Sequence, residues 1–178
     1  MEKATIFIDG GYFNRILKNH FEGVNIDYVK VSNEICKDLN LDRLRTYYYH
    51  CLPIVRAGNR EDEKLHANMQ RFIQNLKRLP RFEVKLGKLQ IIGGKFRQKM
   101  IDVLMSIDII KKCIGKEIKH IILIAGGADF IPAIKTAKDY DNIVHLYYHQ
   151  SSVHNELLDE MDEIHLISKE FIDKCKVK

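Results

Sequence analysis

Aspartates that directly follow apolar runs are the residues of this chain best placed to do chemistry. The run Ile121-Ile122-Leu123-Ile124-Ala125 stops at Gly126-Gly127, and Asp129 opens an amphipathic stretch behind it. Such a run, closed by glycines, predicts a buried strand. The N-terminus repeats the layout: Ala4-Thr5-Ile6-Phe7-Ile8 runs into Asp9, then Gly10-Gly11, then a helical pattern. In open parallel sheets, ligands sit beyond the carboxyl ends of strands. Two aspartates at one sheet edge therefore suggest a metal site.

Each has a plainer reading. Asp9 could be a helix N-cap, although the two glycines after it would let the backbone approach a ligand or take φ > 0. Asp129 could cap a helix with Pro132 in its first turn. A third acid, Asp102, lies in Met100-Ile101-Asp102-Val103-Leu104-Met105. That helix is apolar over most of its circumference and is expected to be largely buried, where a charge is costly unless paired or metal-bound. Asp108 lies about 120° further round the same helix. It is expected to serve another part of the site or to pair with a lysine. Asp159 and Asp162 fit a solvated helix face. Three converging carboxylates would hold a hard cation, Mg²⁺ or Mn²⁺. Such an ion activates water and clamps a phosphate in phosphodiester cleavage.

Competing chemistries lack their residues. The turn after the first strand has no G-x-G-x-x-G, and a carboxylate there would repel a pyrophosphate. His145 and His149 are four apart in or near a strand, with no acid close by in the sequence. Ser151-Ser152 has no obvious activating base, and no G-x-S-x-G exists. Residues 81–99 are basic: Arg81, Lys85, Lys88, Lys95, Arg97 and Lys99 face one acid, Glu83. This segment, just ahead of Asp102, is a solvated loop or a phosphate-tracking surface. Tyr12, Phe13 and Phe96 could stack on bases but fit core packing better. Tyr47-Tyr48-Tyr49 fits a buried strand.

The elements that must position these residues alternate. Strands are expected at 4–9, 44–50, 82–87, 119–125 and 143–148, with a weaker one at 163–167. Helices are expected near 12–20, 27–39, 61–78, 100–114, 130–140, 153–161 and 169–175, with 61–78 on the surface. Residues 87–94 read as a hairpin or a loop. This alternation predicts α/β architecture with a parallel sheet. The 178 residues fit one domain, 1–178, by the prior of about 150 residues per domain. A 46% hydrophobic fraction supports a real core, and the charge of +5 permits a nucleic-acid partner. No window suits a membrane span or a signal peptide. Cys36, Cys51, Cys113 and Cys175 lie far apart with no C-x-x-C pair, as in a reduced, cytoplasmic protein.

Four segments in order carry a resemblance: 7–13 around Asp9, 98–108 around Asp102, Ala125-Gly126-Gly127-Ala128-Asp129-Phe130-Ile131-Pro132, and 152–162. Together they resemble the NYN domain family, including LabA-like proteins, in the PIN-like nuclease superfamily. The likeness spans essentially the whole chain. It implies a three-layer α/β/α sandwich with a mainly parallel, Rossmann-like sheet, and a metal-dependent endoribonuclease acting through clustered aspartates. Carried over by position, Asp9, Asp102 and Asp129 would be catalytic and metal-binding, with Asp108 a second acid of the helix. Lys88, Lys95, Arg97 and Lys99 would hold single-stranded RNA. One departure stands out. The family usually has Ser-Gly-Asp-x-Asp-Phe, and Gly127 replaces its first aspartate. Fewer carboxylates hold a cation less well, so the alternative is an NYN-fold RNA-binding or regulatory module without turnover. A phosphatase or nucleotide hydrolase at a similar acidic edge is a third reading. PIN-like proteins often dimerise, which leaves a homodimer open, but no exposed apolar helix face is expected to demand one.

Overall fold

The computed structural model describes the backbone of residues 1–92, 95–115 and 117–177, and the side chains of those outside 88–99. Seven strands form one sheet in the order β4-β3-β2-β1-β5-β6-β7. They are β1 (Lys3–Asp9), β2 (Asp42–Cys51), β3 (Phe82–Ile92), β4 (Lys95–Lys99), β5 (His120–Ile124), β6 (Ile143–Tyr148) and β7 (Glu163–Leu166). All neighbours pair in parallel except β3 and β4, which form an antiparallel ladder. The helices are α1 (Gly10–His20), α2 (Tyr28–Asp38), α3 (Arg60–Lys77), α4 (Ile101–Ile114), α5 (Ile131–Asp139), α6 (Asn155–Glu160) and α7 (Lys169–Cys175).

The sheet is covered on both faces, giving three layers. Ile6, Ile8, Tyr48, Ile122 and Ile124 share one core with residues of α1, α2, α3 and α7. Phe7, Tyr47, Tyr49, Ile121 and Leu123 share the other with α4, α5 and Leu157 of α6. Double burial is why β1 and β5 are unbroken apolar runs rather than alternating ones. Each large side chain so buried contributes about 1.5–3 kcal/mol.

Three expectations change. The third strand, expected to end at Gly87, runs on to Ile92, which pairs with Lys95 of β4, so of the two readings of this stretch, hairpin or loop, its described residues take the hairpin. Its Gly93 and Gly94 lie outside the described residues. Helix α4 is only half buried. Ile101, Met105, Ile109 and Cys113 face the sheet, while Val103, Ile107 and Ile114 are exposed, as is Met100 just before it. An apolar sequence all round marked this helix as buried, but only one face has a sheet to cover it, so the molecule does expose an apolar helix face where none was expected. The glycine pair after β1 does not take φ > 0, since neither Gly10 nor Gly11 is among the positive-φ residues. A Cβ on Gly10 would lie 2.3 Å from the Tyr48 ring, so packing under α1 demands that glycine.

Candidate metal centre at the switch point

Strand β1 pairs with β2 on one side and β5 on the other, so the strand order reverses between β1 and β5. A crevice at the carboxyl ends of such a strand pair is where doubly wound sheets bind ligands. Asp9 is the last residue of β1. It caps α1, its Oδ1 accepting the Tyr12 N–H at 2.9 Å. Asp129 lies in the single 3-10 turn Ala128–Phe130 between β5 and α5 and is exposed. Asp102 sits in the first turn of α4. Met100, at φ 79°, turns the chain from β4 into that helix.

Electrostatics ties the three together. Burial pushes the Asp9 carboxyl above its ordinary value; the Tyr12 N–H opposes this, and the charge of Asp102 adds to it. Asp102 is raised as well, first by burial and then by the charge of Asp129. Like-charged carboxylates on one site resist ionisation together. Their oxygens are a hard donor set of the kind Mg²⁺ or Mn²⁺ takes, and a divalent cation would relieve the repulsion; as placed, the three carboxylates do not all lie within 4.8 Å of one another. Asp108 is not brought to this group. Its Oδ2 accepts the Tyr49 hydroxyl at 2.9 Å, and its charge acts on Lys85.

Gly126 and Gly127 differ in kind. A Cβ on Gly126 would lie 2.4 Å from Ser152 O and from the Tyr12 ring, so the backbones need a glycine there. At Gly127 the backbone is extended (φ −86°, ψ 143°), and the nearest atom to a Cβ is Phe130 Cε2 at 4.0 Å. Neither space nor conformation requires Gly127. Beside it lies a cavity of about 300 Å³ lined by Arg15, Gly126, Gly127, Ser151, Ser152 and His154. None of the three aspartates lines it, and larger cavities of about 640 and 570 Å³ flank α3, likewise without an acidic residue. Arg15, which sequence reasoning missed, borders the cavity and pulls on the Asp9 charge. Its signal was available: it lies in the second turn of the helix that Asp9 caps.

Other expectations resolve here. Tyr12 and Phe13 are buried in the core. Ser151 does have imidazoles beside it: Oγ is 2.7 Å from His149 Nδ1 and 2.7 Å from His20 Nε2. His20 comes from α1, far away in sequence. His145 also has an acid, Glu163 of β7, at 3.2 Å. Asp159 is exposed, whereas Asp162 Oδ2 accepts the Val144 N–H at 2.8 Å. For the basic segment, register places Lys88 opposite Lys99, and Lys95, Arg97 and Lys99 at alternate positions of β4; their side chains, and that of Phe96, lie outside the described residues.

A family model for the NYN domain matches residues 3–168. No curated protein matches the sequence. Among solved structures, a Vibrio parahaemolyticus protein of unknown function is similar, at 18% identity and a TM-score of 0.65, over 99% of this chain and 96% of that one. It shares the fold. Acinetobacter baumannii MurG superposes with a TM-score of 0.45 at 8% identity, over 94% of this chain and 42% of that one. With the family match spanning both crevice strands and α4, the chain belongs to the NYN domain family of the PIN-like nuclease superfamily, whose members are generally ribonucleases.

Proposed function

We propose that this protein is a metal-dependent endoribonuclease that hydrolyses single-stranded RNA. The observation that carries this is the placement of Asp9 at the end of β1, Asp129 in the turn after β5 and Asp102 in the first turn of α4, with the charge of Asp102 acting on Asp9 and that of Asp129 on Asp102. Asp9, Asp102 and Asp129 would hold Mg²⁺ or Mn²⁺. The bound ion supplies an activated water and charge neutralisation at the phosphate. The protein's own groups do the rest. Capping of α1 holds the Asp9 carboxylate at the strand end. Arg15, at the adjoining cavity, offers a cation to a phosphate oxygen. Lys88, Lys95, Arg97 and Lys99 supply positive charge along the strand backbone of the RNA. A cytoplasmic location belongs to the same reading, supported by the thiols of Cys36, Cys113 and Cys175. No described helix is long and apolar enough to cross a membrane. A homodimer belongs to the same reading, supported by the exposed Val103, Ile107 and Ile114 on α4; a monomeric mass by light scattering would remove it.

The test is cleavage of end-labelled single-stranded RNA in Mn²⁺, Mg²⁺ or EDTA, beside Asp9→Asn. Asparagine also caps helices well, so the fold is expected to survive. Metal-dependent cutting should fall at least about 100-fold, the usual scale for losing a group that stabilises charge in the transition state. Unchanged cutting by the variant would sink the assignment.

The second reading, an RNA-binding module without turnover, is favoured by Gly127, which stands with open space around it where the pattern this chain resembles has an aspartate. Salt-sensitive RNA binding with no cutting in either metal would select it.

A further inference from the structure

Away from the aspartates, a second group of metal-ligating side chains lies where β6 meets the edge strand β7. Register sets His145 beside Glu163 and Tyr147 beside His165, so the three side chains rise from one face of two adjacent strands. One atom from each of His145, Glu163 and His165 lies within 4.8 Å of the others. Glu163 Oε2 is 3.2 Å from His145 Nδ1 and 3.7 Å from His165 Nε2. Ligands about 2.0–2.1 Å from Zn²⁺ stand roughly 3.3–3.4 Å apart across a tetrahedral angle. The observed spacings bracket that value.

The hydrogen-bond chain behind His145 decides what its Nδ1 presents. His120 Nε2 is 2.9 Å from the Glu2 carboxylate, which only accepts, so with neutral imidazoles Nε2 carries the His120 proton. His120 Nδ1 is then the acceptor in its 2.9 Å contact with His145 Nε2, and His145 donates from Nε2. That leaves a lone pair on His145 Nδ1, aimed at a carboxylate oxygen. Two acceptors 3.2 Å apart repel unless a cation lies between them. A proton on Nδ1 would meet Glu163 at 3.2 Å with its charge attracting it, but at an angle outside hydrogen-bond geometry: neither His145 Nδ1 nor His165 Nε2, both buried atoms, has a well-aligned partner among the described residues. His145 is 2% exposed. The Glu163 carboxylate faces both imidazoles. Asp38, at the end of α2, adds a further negative charge facing His165.

We propose that His145, Glu163 and His165 form a binding site for a divalent cation of the zinc class, with His120 and Glu2 orienting His145 from behind. Two imidazoles and one carboxylate are a borderline donor set that suits zinc over the magnesium class. A ligating histidine whose other nitrogen is fixed by a hydrogen-bond chain to a carboxylate is the usual supporting arrangement. The ion would tie the short edge strand β7 to β6.

The test uses the full chain, stripped by chelator, kept in excess Mg²⁺ and titrated with Zn²⁺ alone by calorimetry. Wild type and Asp9→Asn should each bind one equivalent. His165→Ala and Glu163→Gln should each lose at least about tenfold in affinity, since even supporting residues of such sites are worth 10–100-fold. Co²⁺ in place of Zn²⁺ should give a d–d spectrum without a thiolate charge-transfer band. Absence of Zn²⁺ binding, wild-type affinity in both variants, or a thiolate band would each overturn the site. Glu163 is half exposed, so Glu163→Gln decides the matter should His165→Ala fail to fold. Cleavage plays no part in the readout, so failure here leaves the ribonuclease reading standing.

Discussion

The charge at the switch point is set residue by residue, and two predictions live at that scale. Gly127 is extended, with open space where a Cβ would stand, so Gly127→Asp should fold and add a fourth carboxylate. Removing a flexible residue from an allowed conformation is neutral or mildly stabilising. Its outcome separates the two functional readings: for a nuclease working with a reduced ligand set, the Mn²⁺ needed for half-maximal cutting should fall about tenfold or more, as each added carboxylate raises affinity. A variant that folds with no change in metal requirement would show that position 127 does not face the ion. The second prediction concerns pH. Asp9 and Asp102 both have raised carboxyl pKa values, burial being the first cause in each case. A group whose folded pKa exceeds its unfolded value adds stability below the unfolded pKa and loses it as pH climbs through the folded one. The metal-free protein should therefore lose stability as pH rises out of the carboxylate range, and Mg²⁺ should restore it. Asp9→Asn removes one of the repelling charges while keeping the cap. Relief of about 1 kcal/mol would raise its metal-free unfolding temperature by about 2–4 °C. A fall instead would mean that the Asp9 charge is already compensated by Arg15.

At the scale of elements, the β3–β4 hairpin carries the basic charge and leads directly into the turn of α4 that holds Asp102. Replacing Lys95 and Arg97 by Gln should weaken RNA binding at all sequences. It should also flatten the slope of log affinity against log salt by about 1.4, at about 0.7 per phosphate contact on a single strand. An unchanged slope in filter binding would place the RNA elsewhere. This hairpin is also where the sequence was hardest to read. Gly87 looked like the end of a strand, yet it lies inside β3 because a Cβ would sit 2.8 Å from Cys51 Sγ and 3.0 Å from Ile101 Cβ. A glycine required by packing is indistinguishable, in one dimension, from a glycine that turns the chain. β1, β5 and β6 were legible because burial on both faces wrote them as apolar runs. The candidate acids stood out for local reasons: Asp9 and Asp129 each follow an apolar run, and Asp102 lies near the start of an apolar helix. Arg15, the imidazoles at Ser151 and the Glu163 partner of His145 did not, since each is joined by contacts across strands or layers that leave no local pattern.

The whole molecule places its two candidate metal centres apart. The aspartates stand past the carboxyl ends of β1 and β5, while Glu163 opens β7 and His120 opens β5, at the amino ends. From β1 to β7 is three steps across the sheet, roughly 14 Å at about 4.8 Å per strand. The centres share no ligand and differ in chemistry, all-carboxylate oxygen against imidazole nitrogen with one carboxylate. Sites that far apart without common partners are energetically additive to within about 0.3–0.5 kcal/mol. The stabilisation by Mg²⁺, lost in Asp9→Asn, and that by Zn²⁺, lost in His165→Ala, should therefore disappear separately, and the double variant should lose their sum. Chemical denaturation with each ion, alone and together, measures all four corners of this cycle. A coupling well above 0.5 kcal/mol would mean that the ion at β7 reaches the crevice through the sheet. The edge of the fold would then regulate the metal site at its centre, rather than only fastening its last strand.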